Sequence, residues 1–101
     1  MSKMQYEKNG KIACIKLDDG KVNAMNWEFF SELNEALDRA LADEAAALIF
    51  TSRPGIFSAG LDLKLLPTQD LAEQVKFQRT FAETMLRILQ FLKFVFLFFA
   101  L

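Results

Sequence analysis

The apolar and polar positions along the chain fall into short segments of differing period. Met4–Lys8 and Lys11–Leu17 flank Asn9-Gly10, a two-residue turn signal, and together predict a β-hairpin. Ile12, Cys14 and Leu17 suggest the inward face of the second strand, although Ala13 and Ile15 blur the alternation. Asp18-Asp19-Gly20 ends that strand and Lys21–Met25 reads as a loop. Phe29, Phe30, Leu33, Leu37, Ala40 and Leu41 then recur at helical spacing. Asn26 stands where its side-chain oxygen can cap this helix, and Glu28 faces the positive end of the helix dipole. Ala45–Thr51 is a short apolar run between polar clusters and predicts a buried strand. After the loop Arg53–Gly60, Leu61–Leu66 predicts one helical turn, broken by Pro67. Thr68 or Asp70 starts a second helix, with Glu73 in capping-box position after Asp70. Its stripe of Leu71, Val75, Phe81, Met85, Leu89 and Leu92 runs into a Phe-rich end, so the helix is expected to continue through residues 92–101. The order β-β-α-β-loop-α predicts an α/β fold with no second domain.

With 101 residues the chain is one small domain at most, and 52 % hydrophobic residues exclude intrinsic disorder. Twelve basic residues against thirteen acidic ones leave no electrostatic footprint for nucleic acid. The absence of histidine removes Ser-His and Cys-His dyads and histidine-ligated metals. Cys14, the single cysteine, allows no intrachain disulfide and no multi-thiolate metal site. It reads as a buried structural thiol in a reducing, cytoplasmic setting. Glu28, Glu32, Glu35 and Asp38 lie mostly off the apolar stripe and read as a solvated face rather than an acid/base pair. No signal peptide is expected, because Met1–Lys11 carries charges throughout. The uninterrupted apolar run Phe94–Leu101 has 8 residues, where a membrane span needs about 20. Membrane association is therefore the weakest reading of this end, and burial by homo-oligomerisation or against further protein is expected.

Chemistry concentrates in Ile56–Lys64. Small residues crowd between a predicted buried strand and a helical turn, a place that can present unpaired backbone N–H groups. Three phosphate or nucleophile motifs fail there. Gly55 and Gly60 have P-loop separation, but Leu61 and Asp62 stand where Lys and Ser/Thr are required. Ser58 and Gly60 fit a nucleophile elbow, but Ile56 replaces its first glycine. No G-x-G-x-x-G occurs. An ordinary tight loop and a carbonyl-polarising loop, holding an oxyanion on backbone N–H groups, both remain open.

Phe57-Ser58-Ala59-Gly60-Leu61-Asp62-Leu63-Lys64 resembles the oxyanion-loop motif of the crotonase (enoyl-CoA hydratase/isomerase) superfamily. Asp19-Gly20-Lys21-Val22-Asn23-Ala24-Met25 is similar to that family's early coenzyme A-contacting loop, and the likeness covers roughly residues 4–91. It implies the N-terminal portion of a crotonase-like fold, the ClpP/crotonase-type spiral of ββα units. It also implies acyl-CoA chemistry through a thioester enolate, as in hydratases or Δ3-Δ2 isomerases, with the coenzyme A thioester as substrate and no separate cofactor or metal. The backbone N–H of Leu61 would be one of two donors to the thioester oxygen. Ala59, Gly60, Asp62, Leu63 and Lys64 would line the acyl-CoA channel, and Val22, Asn23 and Ala24 would lie near the adenine or pantetheine arm. Asp62 is equally placed to cap the turn after it, and Lys21 would either meet a phosphate of the coenzyme or be a plain solvated lysine. Trp27 and Phe29 read as packing.

The resemblance has limits. The second donor and the acid/base glutamates of the family lie downstream of anything in this sequence. Leu92–Leu97 replaces a Pro-Lys-Pro segment and its small apolar strand. The chain therefore reads as a truncated first half, inactive alone. The alternative is a non-catalytic acyl-CoA-binding or oligomerising module.

Overall fold

A computed structural model of the chain describes residues 4–90 and 94–97. Strands β1 (Met4–Asn9) and β2 (Ile12–Leu17) form the antiparallel hairpin. Asn9 pairs with Ile12, so the two turn residues are Gly10 and Lys11, one position later than the sequence suggested. Gly10 alone takes positive φ (61°), the pattern of a type II′ turn with glycine first.

Helix α1 (Trp27–Ala42) begins as expected: Asn26 Oδ1 accepts the Phe29 N–H at 2.9 Å. It ends in a Schellman motif. Ala45 N–H donates to the Ala40 carbonyl at 3.0 Å and Glu44 N–H to that of Leu41 at 3.0 Å. Glu44 therefore sits at φ 54°, where glycine is usual.

Strand β3 (Ala47–Thr51) pairs parallel with β2, Ala13 beside Leu48 and Ile15 beside Phe50. These four, with Met4 and Leu17, bury one face of the sheet under Phe29, Phe30, Leu33, Ala36, Leu37 and Ala40 of α1. The inward face of β2 is thus Ala13–Ile15–Leu17. Ile12 and Cys14 lie on the opposite parity, with Ile12 40 % exposed and Cys14 half-buried rather than buried. Of the acidic run on α1, Glu28, Glu35 and Asp38 are exposed as expected, whereas Glu32 is buried.

Pro67 does not break a helical turn. It sits inside a 3-10 turn, Leu66–Thr68, where its missing N–H costs nothing. Asp70 starts helix α2 (Leu71–Gln90): its Oδ1 accepts the Glu73 N–H at 2.8 Å. Only Phe77 and Thr84 of this helix are buried. Phe77 packs edge-on against Trp27 and Phe30, with centroids 5.0 and 5.5 Å apart. Thr84 Oγ1 accepts from Asn34 Nδ2 at 3.0 Å, and Arg87 pairs with Asp38 at 2.5 Å. Leu71, Val75 and Leu89 of the anticipated stripe are instead exposed. The face that meets α1 runs through Phe77, Phe81 and Thr84.

The expected helical continuation does not occur. Helix α2 ends at Gln90, and Phe94–Leu97 forms strand β4, parallel to β3. Phenylalanine and valine favour a pleated strand, and the outer edge of β3 offers backbone groups that need partners. The rest of 91–101, including Leu92 of the anticipated stripe, lies outside the described residues. The sheet order is β1-β2-β3-β4. No helix among the described residues is long and apolar enough to cross a membrane.

Candidate functional site

Beyond the carboxyl ends of β2 and β3, two loops run side by side: residues 18–26 and residues 52–62. An isolated parallel bridge joins Met25 to Leu61. Met25 N–H donates to the Gly60 carbonyl at 2.8 Å, and Asp62 N–H donates to the Met25 carbonyl at 2.9 Å. One step away, Ala59 N–H donates to the Val22 carbonyl at 2.9 Å. Arg53 adds a further tie, its Nη2 donating to the Lys21 carbonyl and its Nε lying 3.3 Å from Asp18 Oδ1.

Asn23 is the knot between the loops. It is 2 % exposed and adopts φ 53°, a conformation asparagine tolerates better than most residues. Its Nδ2 lies 2.8 Å from Ser52 Oγ, 2.8 Å from the Phe57 carbonyl and 3.2 Å from the Leu17 carbonyl, while its Oδ1 accepts the Asp19 N–H at 2.9 Å. Both ends of the carboxamide are therefore used inside the protein, and its contribution to a ligand site is the loop shape it enforces.

The result is a short stretch in which most N–H groups are already engaged. Ala59 N–H goes to Val22, Gly60 N–H to Ser58 Oγ at 3.1 Å, and Asp62 N–H to Met25. The N–H of Leu61 has no acceptor among the described residues. This follows from the bridge: in a parallel pairing, the residue opposite Met25 turns its own N–H away from Met25. Asp62 caps the next turn, its Oδ1 accepting the Lys64 N–H at 2.9 Å and its carbonyl accepting the Leu65 N–H at 3.1 Å.

Beside this stretch lies a cavity of about 440 Å³. Its walls include Leu17, Met25, Phe29, Phe50, Phe57 and Met85, and they are almost wholly apolar. That size suits a small-molecule site. Met25 belongs both to this wall and to the bridge with Leu61.

The structure thus brings Val22, Asn23 and Ala24 next to Ala59, Gly60, Leu61 and Asp62. Leu63, 75 % exposed, and Lys64 turn outward, as do Lys21 and Val22. Trp27 and Phe29 pack against the core as expected. The sequence left the importance of Ser52, Ser58 and Arg53 unread. Ser58 stood in the motif that carries the resemblance and in a failed nucleophile motif, neither of which gave it a role, and the contacts of Ser52 and Arg53 depend on loops about thirty residues distant.

The profile of the enoyl-CoA hydratase/isomerase family matches residues 7–96. The chain belongs to that family. Rat mitochondrial enoyl-CoA delta isomerase 1 is 33 % identical over 86 residues, which cover 81 % of this chain and 30 % of the relative. Its human counterpart is 31 % identical over 81 residues, covering 78 % and 27 %. Among solved structures, the enoyl-CoA hydratase EchA3 of Mycobacterium ulcerans superposes with a TM-score of 0.87 at 33 % identity, covering 94 % of this chain and 42 % of that one. The chain thus spans less than half the length of these family members and carries the first strands and helices of the crotonase fold.

Proposed function

We propose that this chain supplies the first half of an acyl-CoA site, in which the Leu61 N–H donates to the thioester oxygen as it becomes an enolate. The unengaged Leu61 N–H, held between two loop hydrogen bonds to Met25, carries this reading. A fixed N–H already aimed at the position of developing charge needs no reorganisation, and one such donor is worth about 3 kcal/mol. Val22, Asn23 and Ala24, with Gly60–Lys64, form the coenzyme A side of the site, and the apolar cavity gives the acyl chain a surface to bury. The thioester is the substrate, and no further cofactor enters. Hydration and double-bond isomerisation both pass through such an enolate, and proton transfer falls to a carboxylate outside this chain. Asp62, the carboxylate nearest to Leu61 in the loop, is committed to its own turn.

Calorimetric titration with acetoacetyl-CoA, an enolate mimic, tests this directly, with coenzyme A as the control ligand. Replacing the Gly60–Leu61 amide by an ester through semisynthesis should weaken acetoacetyl-CoA binding by about tenfold to a hundredfold and leave coenzyme A binding unchanged. The ester also weakens the Gly60 carbonyl that holds Met25, so a melting curve accompanies the titration. Equal binding of acetoacetyl-CoA by both versions would defeat the proposal. Turnover of crotonyl-CoA by the 101-residue chain at an ordinary enzymatic rate would defeat the reading that it is inactive alone.

A second reading, a non-catalytic module that assembles through apolar surface, is favoured by α2. Leu71, Val75, Leu86 and Leu89 are all more than half exposed. Light scattering should then show association into a homo-oligomer at micromolar concentration, and a stable monomer would count against it.

A further inference from the structure

The Leu61 N–H is a useful donor only if its neighbour does not compete with it. Gly60 is that neighbour, and at φ 87° it has the backbone freedom to turn its N–H toward a ligand. Two side chains prevent this. Ser58 Oγ donates to the Asn23 carbonyl at 2.8 Å, so its proton is committed there and a lone pair faces the Gly60 N–H, which it accepts at 3.1 Å. Asn23 is in turn immobilised by its buried carboxamide, which also holds the Phe57 carbonyl just upstream of Ser58. The order of engagement runs from Ser52 and Phe57 through Asn23 to Ser58, then to Gly60, and stops at Leu61.

We infer that Asn23 and Ser58 are positioning residues that keep the N–H of Gly60 occupied, so that of this adjacent pair only the Leu61 N–H is left to a ligand. The inference rests on Leu61 being the donor to the thioester. It concerns something separate, namely why one N–H rather than two adjacent ones is presented. Without the Ser58 hydroxyl, the Gly60 and Leu61 N–H groups would share a carbonyl oxygen or a water, and neither would be held in line.

Ser58 offers the cleaner test, since it lies in a half-buried loop and its loss opens no core. In the isotopically labelled 101-residue chain, Ser58→Ala should speed hydrogen exchange at the Gly60 amide by about fivefold to tenfold, the scale of one lost hydrogen bond. Exchange elsewhere in the sheet should not change. The same variant should lose about tenfold in affinity for acetoacetyl-CoA with unaltered affinity for coenzyme A, and bound acetoacetyl-CoA should show less enolate absorbance. Ser58→Thr, which keeps the hydroxyl, should restore both. Unchanged Gly60 exchange in Ser58→Ala would overturn the relay, as would equal losses for the two ligands, since those would mark general loosening. If the unmodified chain fails to bind acetoacetyl-CoA, the Leu61 reading falls and the positioning role falls with it. If it binds, and Ser58→Ala binds equally well, the relay alone is wrong.

Discussion

Replacing Asn23 dissects the knot between the loops. Asn23→Gly deletes the carboxamide and keeps a residue at ease with φ 53°. The Phe57 carbonyl and the Asp19 N–H lose their side-chain partner, and Ser52 Oγ loses its donor. The Leu17 carbonyl keeps one, because Ser52 Oγ also donates to it at 3.0 Å. Three lost bonds in a buried setting, at about 1 kcal/mol each, give a destabilisation of about 3 kcal/mol. Asn23→Ala loses the same bonds and adds the left-handed backbone cost of about 1 kcal/mol, for about 4 kcal/mol in all. Asn23→Asp keeps the shape but turns an acceptor toward the Phe57 carbonyl. Its carboxyl should titrate above the usual value of about 4, so the damage should ease as pH falls and the acid regains a proton to donate. Urea unfolding followed by circular dichroism measures all three against the unmodified chain. A domain of this size has about 5–15 kcal/mol in total, so the losses are easily resolved. An alanine variant as stable as the glycine variant would refute the backbone part. A glycine variant within about 0.5 kcal/mol of the original would refute the knot itself.

Other outcomes follow from single contacts. Phe77→Ala should cost about 3–5 kcal/mol, since Phe77 is fully buried against Trp27 and Phe30, while Leu71→Ala at a 76 % exposed site should cost almost nothing; urea unfolding separates them. Glu44→Gly should raise the melting temperature, by the equivalent of about 1 kcal/mol, because the Schellman position already demands positive φ. A lower melting temperature would argue against that helix end. Tyr6 is pushed up to about 12 by burial and then by its hydrogen bond to Asp43 at 2.7 Å. Folding thus favours the neutral phenol, so its contribution is intact below about pH 10 and is lost as pH rises through about 12. As the chain has one tyrosine, tyrosinate absorbance reports it without ambiguity, and Tyr6→Phe should flatten stability over that window.

What the sequence disclosed follows the range of the interactions involved. The Asn26 cap, the α1 stripe from Phe29 to Ala40 and the short apolar strand β3 depend on neighbours within a few residues and are where local pattern put them, whereas Leu41, expected in that stripe, is 51 % exposed in the last turn of α1. The hairpin slipped by one residue because Asn-Gly and Gly-Lys both fit a two-residue turn, and only the backbone of Gly10 decides between them. Glu44 hid a helix end that glycine normally announces. The stripe on α2 misled because apolar residues at helical spacing name a face without saying what covers it. Phe77 is chosen by Trp27 and Phe30, about fifty residues earlier. At the site, the motif around Gly60 and Leu61 was visible as a resemblance. That Asn23 serves the loop rather than the ligand needed Ser52 and Phe57 beside it, 29 and 34 residues along the chain.

In this sheet, spatial order repeats chain order from β1 to β4. Each strand is laid on the outer edge of the one before, and no strand must be threaded between two already paired. A chain emerging from the ribosome can therefore fold as it is made, with every added ββα-like unit finding its docking edge waiting. Among the described residues β4 pairs with β3 on one side only, so its other edge is the one a further strand, from the same chain or from a neighbour, would take.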